Sequence, residues 1–270
     1  MLSLRKLGRR QGSSWRRLII VGLAIATTLF VILMPLQRVK AQSSSLPTPR
    51  THPLPPQLAQ WNDTTGAGDY FSEIKLTPVG YLVWLQFPLK VYVEQPKTSD
   101  ESPTGVQRFQ KWVEAVLQAV QEWGVYLPLE VVAQPEGADI LIMRSRPPLQ
   151  ASFNRETGKF NLPRARSAET RYEFYLRKAI NAPEEVLSQR FTIQLSPDQI
   201  VEYTLATARH ELGHALGIWG HSPFQTDAMY FSQVRNPPLI STRDINTLKR
   251  VYEQPTRLGW PLASKSRSEE

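Results

Sequence analysis

Histidine is scarce in this 270-residue chain. Of four in all, three fall within twelve residues, in His210-Glu211-Leu212-Gly213-His214-Ala215-Leu216-Gly217-Ile218-Trp219-Gly220-His221. His210 and His214 are four apart, so on a helix they share one face, about 6 Å apart along the axis. Two neutral imidazoles so placed can reach one ion, and a catalytic zinc site wants three protein ligands with a position left for water. Glu211 stands about 100° round the helix from His210. From there its carboxylate can reach a water on the metal without ligating the metal itself. Zinc brings the pKa of such a water towards about 7, so the carboxylate can take its proton near neutral pH. The chemistry expected is attack on a polarised carbonyl, with Glu211 as catalytic base and His210, His214 and His221 as metal ligands.

A third ligand so soon after His214 cannot come from the same straight helix. The chain must turn back, and Gly217 can supply positive φ at the helix end. Asp227 is the nearest carboxylate that could replace His221. The helix itself is expected to open at Ser196-Pro197-Asp198-Gln199, with Ser196 as cap and Pro197 in the first turn, and to carry Ile200, Leu205, Ala208, Leu212 and Ala215. Ahead of it, Val106, Phe109, Val113, Val116, Leu117, Val120 and Trp123 recur at three and four, an amphipathic helix that Gly124 stops. Strands are expected at Leu89–Val93, Leu129–Val132, Ala138–Met143, Thr170–Leu176 and Arg190–Leu195. Ser241-Thr242-Arg243-Asp244 reads as a capping box for a last helix bearing Ile245, Leu248 and Tyr252. The order of elements predicts a mixed α/β domain, a twisted sheet with one helix behind it.

Cysteine is absent, which excludes a disulfide scaffold, a Cys-ligated metal and a Cys nucleophile together. The net charge of +8 suggests a polyanion binder until it is divided along the chain. Residues 1–41 hold eight Lys/Arg and no acid, leaving 32 − 8 = 24 basic residues against 24 acidic ones in 42–270. The body therefore carries no global signal for nucleic acid. Six cations precede the charge-free apolar run Leu18–Met34, the order of an export signal or an N-terminal membrane anchor; cleavage after Ala41 would make it the former. Both place the body outside the cytoplasm, periplasmic, extracellular or held to a membrane through residues 18–34. Residues 42–79 are read as a Pro/Ser-rich linker and lead-in, 80–254 as the domain, and 255–270 as a polar tail.

His-Glu-Leu-Gly-His-Ala-Leu-Gly, then His221-Ser222, then Asp227-Ala228-Met229-Tyr230, resembles the matrixin branch of the metzincin zinc metalloproteases, whose pattern is H-E-x-x-H-x-x-G-x-x-H followed by a Met-turn. Phe109–Trp123, Ala138–Met143 and Leu239–Tyr252 are similar to the family's first helix, its Ala-Asp-Ile strand and its closing helix, so the likeness spans roughly residues 80–254. It implies a metzincin-like catalytic domain with an active-site helix and a closing C-terminal helix, and one catalytic Zn2+. Met229 would form a floor under the zinc, and a peptide substrate would lie along the strand Thr170–Arg177. The chain departs from the pattern at Gly220, which stands in the usual place of the third ligand; His221 comes one residue late. With only His52 left over, the family's second, structural zinc has no ligand cluster here. Ca2+, also a family ligand, is kept as a second cofactor without a placed site, since no Asp-rich loop is evident.

The reading is an exported zinc-dependent endopeptidase acting on protein or peptide substrates. Two alternatives stand beside it. One is a non-proteolytic envelope protein that retains a structural zinc site. The other is a basic surface-binding module built on residues 144–178, where nine Lys/Arg meet three Glu.

Overall fold

The computed structural model describes residues 46–97, 102–149, 152–161, 166–178 and 184–262. The segment 1–41, expected to be a signal or anchor, lies outside the described residues. Among the described residues no helix is long and apolar enough to cross a membrane. Ser45–Glu270 forms one compact unit. It is mixed α/β, with a five-stranded, mostly parallel sheet.

The chain runs through α1 (Pro56–Gln60), a 3-10 turn at Phe71–Glu73, β1 (Leu89–Val93), α2 (Pro103–Gly124), β2 (Leu129–Val132) and β3 (Ile140–Met143). It continues with β4 (Ser152–Asn154), β5 (Lys159–Asn161), β6 (Ala168–Lys178), β7 (Glu185–Leu195), α3 (Val201–Leu216) and α4 (Thr242–Tyr252). The sheet order is β2-β1-β3-β7-β6. Its first four strands are parallel; β6 runs antiparallel to β7 and forms the edge. Leu89, Val91 and Val93 of β1 alternate inward, as do Phe191, Ile193 and Leu195 of β7, and Ile140 and Ile142 lie wholly buried between them. The helix α2 buries the stripe read from the sequence, Phe109 through Trp123, and ends at Gly124. Pro103 occupies its first turn and the Ser102 side chain accepts from the Gly105 amide. It packs on α3, which also packs on β6 and β7.

Three expectations need correction. The site-bearing helix starts at Val201, without a side-chain cap. Ser196 and Asp198 bond to each other instead, and Arg146 holds Asp198, so these residues form a turn ahead of the helix. Both β6 and β7 run eleven residues, longer than expected, because their pairing is continuous from Ala168↔Leu195 to Lys178↔Glu185. The lead-in is not a solvated linker from residue 46 onward, and residues 255–262 are not a loose tail. Leu58, Leu258 and Thr256 are fully buried or nearly so. Arg50 and Thr256 exchange two backbone hydrogen bonds of 2.9 Å, and His52 stacks on Trp260 at 4.3 Å. A few large apolar groups among the prolines suffice to dock an extended segment whose backbone loses little entropy on ordering.

Candidate metal centre

The end of α3 shows why the chain turns where it does. An α-helix leaves its last four carbonyls without intrahelical partners. Here each of the four has one: Gly213 O accepts from Ile218 N, His214 O from Gly217 N, Ala215 O from Trp84 Nε1 and Leu216 O from the Tyr252 hydroxyl. Gly217 has φ 132°, and a Cβ there would lie 2.6 Å from Leu82 O. Only glycine permits both the backbone conformation and the close approach.

The returning chain brings His221 to the other two imidazoles. One ligand atom each from His210, His214 and His221 lie within 4.8 Å of one another. The ring centroids of His210 and His214 are 4.7 Å apart, those of His214 and His221 4.9 Å, and those of His210 and His221 5.2 Å. The late third histidine is therefore accommodated. Gly220 makes this feasible: the backbone of Glu73 passes so close that a Cβ on Gly220 would lie 2.3 Å from Glu73 O. Among the described residues no other group of three or more His, Asp or Glu side chains is arranged to hold a metal.

Two of the imidazoles are oriented by backbone carbonyls. Nδ1 of His210 lies 2.9 Å from Ala228 O, and Nδ1 of His214 lies 2.7 Å from Ile218 O. A carbonyl only accepts, so Nδ1 of each carries a proton and Nε2 is the atom left to act as ligand. Burial pushes the His214 imidazole well below the ordinary histidine range. Burial, with help from the nearby His210 and Lys75, brings His221 down to about 4. The donor set therefore fits a divalent ion such as zinc: three imidazoles, at least two of them held neutral at pH 7.

Glu211 sits beside this group and outside it. The Thr170 hydroxyl, from the edge strand β6, donates to Glu211 Oε2 at 2.5 Å. Burial raises the Glu211 carboxyl, against the pull of His210 and of that hydrogen bond. A cavity of about 190 Å³ opens next to His210 and Glu211, walled by Thr207, Tyr230, Val234 and Pro238. A larger one, about 350 Å³, lies elsewhere, among Phe87, Lys90, Asp139 and Arg177, and none of the three histidines lines it.

Below the histidines, Met229 is fully buried. A Cβ on Gly213 would lie 2.2 Å from Met229 Sδ, so the glycine between the two helical histidines is the seat of the thioether. The turn that carries Met229 is fixed from α4. Asp244 accepts from the amides of Ala228 and Ser241 and, at 2.6 Å, from the Tyr70 hydroxyl, so one carboxylate serves both the capping box expected at Ser241 and the turn. Asp227 is excluded as a substitute ligand. It is wholly buried and engaged by Arg243 at 2.6 Å and by the Ser222 hydroxyl, outside the histidine group.

Sequence reasoning placed His210, Glu211, His214 and His221, and the structure brings all four together. It missed Thr170, which lies 41 residues from its partner in a strand with no local motif. It also missed Tyr70 and Trp123, whose polar atoms reach the site's supports over long separations; Trp123 Nε1 donates to Arg209 O on α3. No protein-family model matches the chain, and no curated protein matches it.

Proposed function

We propose that this protein is a zinc-dependent endopeptidase of the metzincin type, matrixin-like in its motif. The observation that carries the reading is the histidine trio with Glu211 beside it, unligated and facing a cavity. A structural metal site has no need of a half-buried carboxylate next to its ligands.

His210, His214 and His221 would hold the ion. Zinc, when bound, supplies Lewis acidity that polarises a substrate carbonyl and makes a water easier to deprotonate. Glu211 moves the proton: its carboxylate takes one from the attacking water and, once protonated, delivers it to the departing amine nitrogen. Thr170 fixes Oε2 of that carboxylate and so restricts the orientation of Oε1. A carboxyl raised by burial is better matched to accepting and returning a proton near neutral pH than an ordinary surface glutamate. Among the described residues the outer edge of β6, which starts beside Glu211, pairs with no other strand, and an extended peptide can add to it by main-chain hydrogen bonds. The cavity walled by Tyr230 and Val234 would receive a side chain of that peptide.

The test is cleavage of an unstructured protein such as casein by the zinc-loaded Ser45–Glu270 unit, run beside Glu211→Gln. Wild type should cleave, and the variant should bind zinc yet lose activity by a factor of 100 or more. Equal activity in both, or no cleavage of any unfolded substrate by zinc-replete wild type, would reject the reading.

A further inference from the structure

Strands β4 and β5 stand apart from the main sheet as a two-stranded antiparallel ribbon. Three residues per strand are too few to enclose an apolar face. Phe153 pairs directly with Phe160, so both rings project from the same face, with centroids 5.1 Å apart. They are 53% and 71% exposed, and Leu149, just ahead of the ribbon, is 63% exposed. Two cations flank them along the chain, both exposed: Arg155 in the turn, and Lys159, which pairs with Asn154 on the opposite face of the ribbon. The wider charge distribution points the same way. Residues 144–178 carry nine Lys/Arg and three Glu, a net of +6. The rest of 42–270 then holds 24 − 9 = 15 basic and 24 − 3 = 21 acidic residues, a net of −6. The ribbon thus lies within the one stretch of sequence that carries the excess positive charge of an otherwise neutral body.

We infer that this ribbon is a docking surface for an anionic lipid bilayer. The rings enter the boundary between headgroups and acyl chains, while Arg155 and Lys159 remain at the depth of the lipid phosphates. Two features favour lipid over an acidic protein. The aromatic pair is phenylalanine, without the hydroxyl or indole N–H that a hydrogen-bonding partner would use. The sequence also contains the charge-free run Leu18–Met34, itself suited to a bilayer. A single small apolar element binds membranes weakly, and a second attachment is what makes such binding stable. The inference stands whether or not the protein is a peptidase.

The Ser45–Glu270 unit, which has its own core and lacks the apolar run, is mixed with vesicles and sedimented. Vesicles of equal parts phosphatidylglycerol and phosphatidylcholine should bind it at least tenfold more strongly than phosphatidylcholine alone, and binding should weaken between 0.05 and 0.5 M salt. Arg155→Gln/Lys159→Gln should reduce partitioning roughly 25-fold, about fivefold for each cation. Phe153→Ser/Phe160→Ser should reduce it at least tenfold while zinc binding stays as in wild type. No preference for anionic vesicles would overturn the proposal. So would ribbon variants that bind like wild type, or a single-stranded oligonucleotide or acidic polypeptide that displaces the protein from vesicles at equal charge concentration.

Discussion

Gly220→Ala probes the loop that delivers His221. A Cβ at this position would lie 2.3 Å from Glu73 O, 2.9 Å from Glu73 C and 3.1 Å from Ile74 Cα, all of them backbone atoms. A flexible side chain could swing away; a backbone cannot do so without moving its segment. That segment is held in place, because Lys75 N donates to Trp219 O at 3.0 Å and the Tyr70 hydroxyl is tied to Asp244. Either the lead-in lifts or the loop shifts. Overpacking of this kind costs about 1–3 kcal/mol, which lowers Tm by roughly 2–12 °C in a folded body of this size. The larger effect should fall on the metal, since a displaced His221 leaves two ligands. Zinc at a hundredfold excess over Kd should raise the stability of wild type by about 2.7 kcal/mol, and the variant should lose most of that increment. Thermal melts with and without zinc, together with competition against a chromophoric chelator, read both effects. Gly124→Ala is the control. A Cβ there meets nothing within 4 Å, so stability should rise by about 0.4–1 kcal/mol with zinc affinity unchanged. If Gly220→Ala melts like wild type and keeps its zinc affinity within threefold, contact with Glu73 is not what sets the loop.

Leu58→Ala should cost about 2–5 kcal/mol in urea unfolding, because Leu58 is wholly buried; a change under 0.5 kcal/mol would return the lead-in to the status of a linker. Arg243→Ala leaves the fully buried Asp227 without its cation and should cost about 3–5 kcal/mol, read from the urea midpoint; a neutral result would mean that Ser222 alone satisfies the carboxylate. The metal-free chain should lose stability on acidification below about pH 6.5. His214 and His221 are held neutral in the folded state at pH values where the unfolded chain protonates them, so the unfolded state binds more protons and stability falls with pH. At His221 the loss develops as pH falls towards about 4. Urea midpoints across that range should be flatter in His221→Gln, and parallel curves would contradict the assignment.

The parts of the site that were legible in the sequence are those that one helix turn or one loop encodes. His210 and His214 announce themselves by spacing, Glu211 by its place between them, and Gly217 by the need to reverse direction. The helix α2 and the capping box of α4 were legible for the same reason, since their signals repeat within a few residues. Thr170 could not be found this way. Its role depends on β6 lying beside α3, a pairing fixed by the whole sheet. The start of α3 was misplaced because Ser196 and Asp198 find each other and Arg146, a competing turn with the same residues a helix cap would use. The lead-in departs from its linker-like composition because a few residues decide its fate: Leu58 is buried, and Trp61 and Tyr70 find partners near the other end of the chain.

That meeting of the two ends has a kinetic consequence. His52 reaches Leu258 across 206 residues. Closing a loop of that length in an unstructured chain would cost about 5 kcal/mol in entropy. The clasp formed by Arg50, His52, Thr256 and Trp260 is therefore expected to close after the sheet and helices have drawn the ends together, with φ-values near zero at its contacts. Interactions made that late govern how fast a protein comes apart and scarcely affect how fast it assembles. The clasp acts as a latch on lifetime: loosening it at the His52–Trp260 stack should shorten the persistence of the native state while leaving the refolding rate almost untouched.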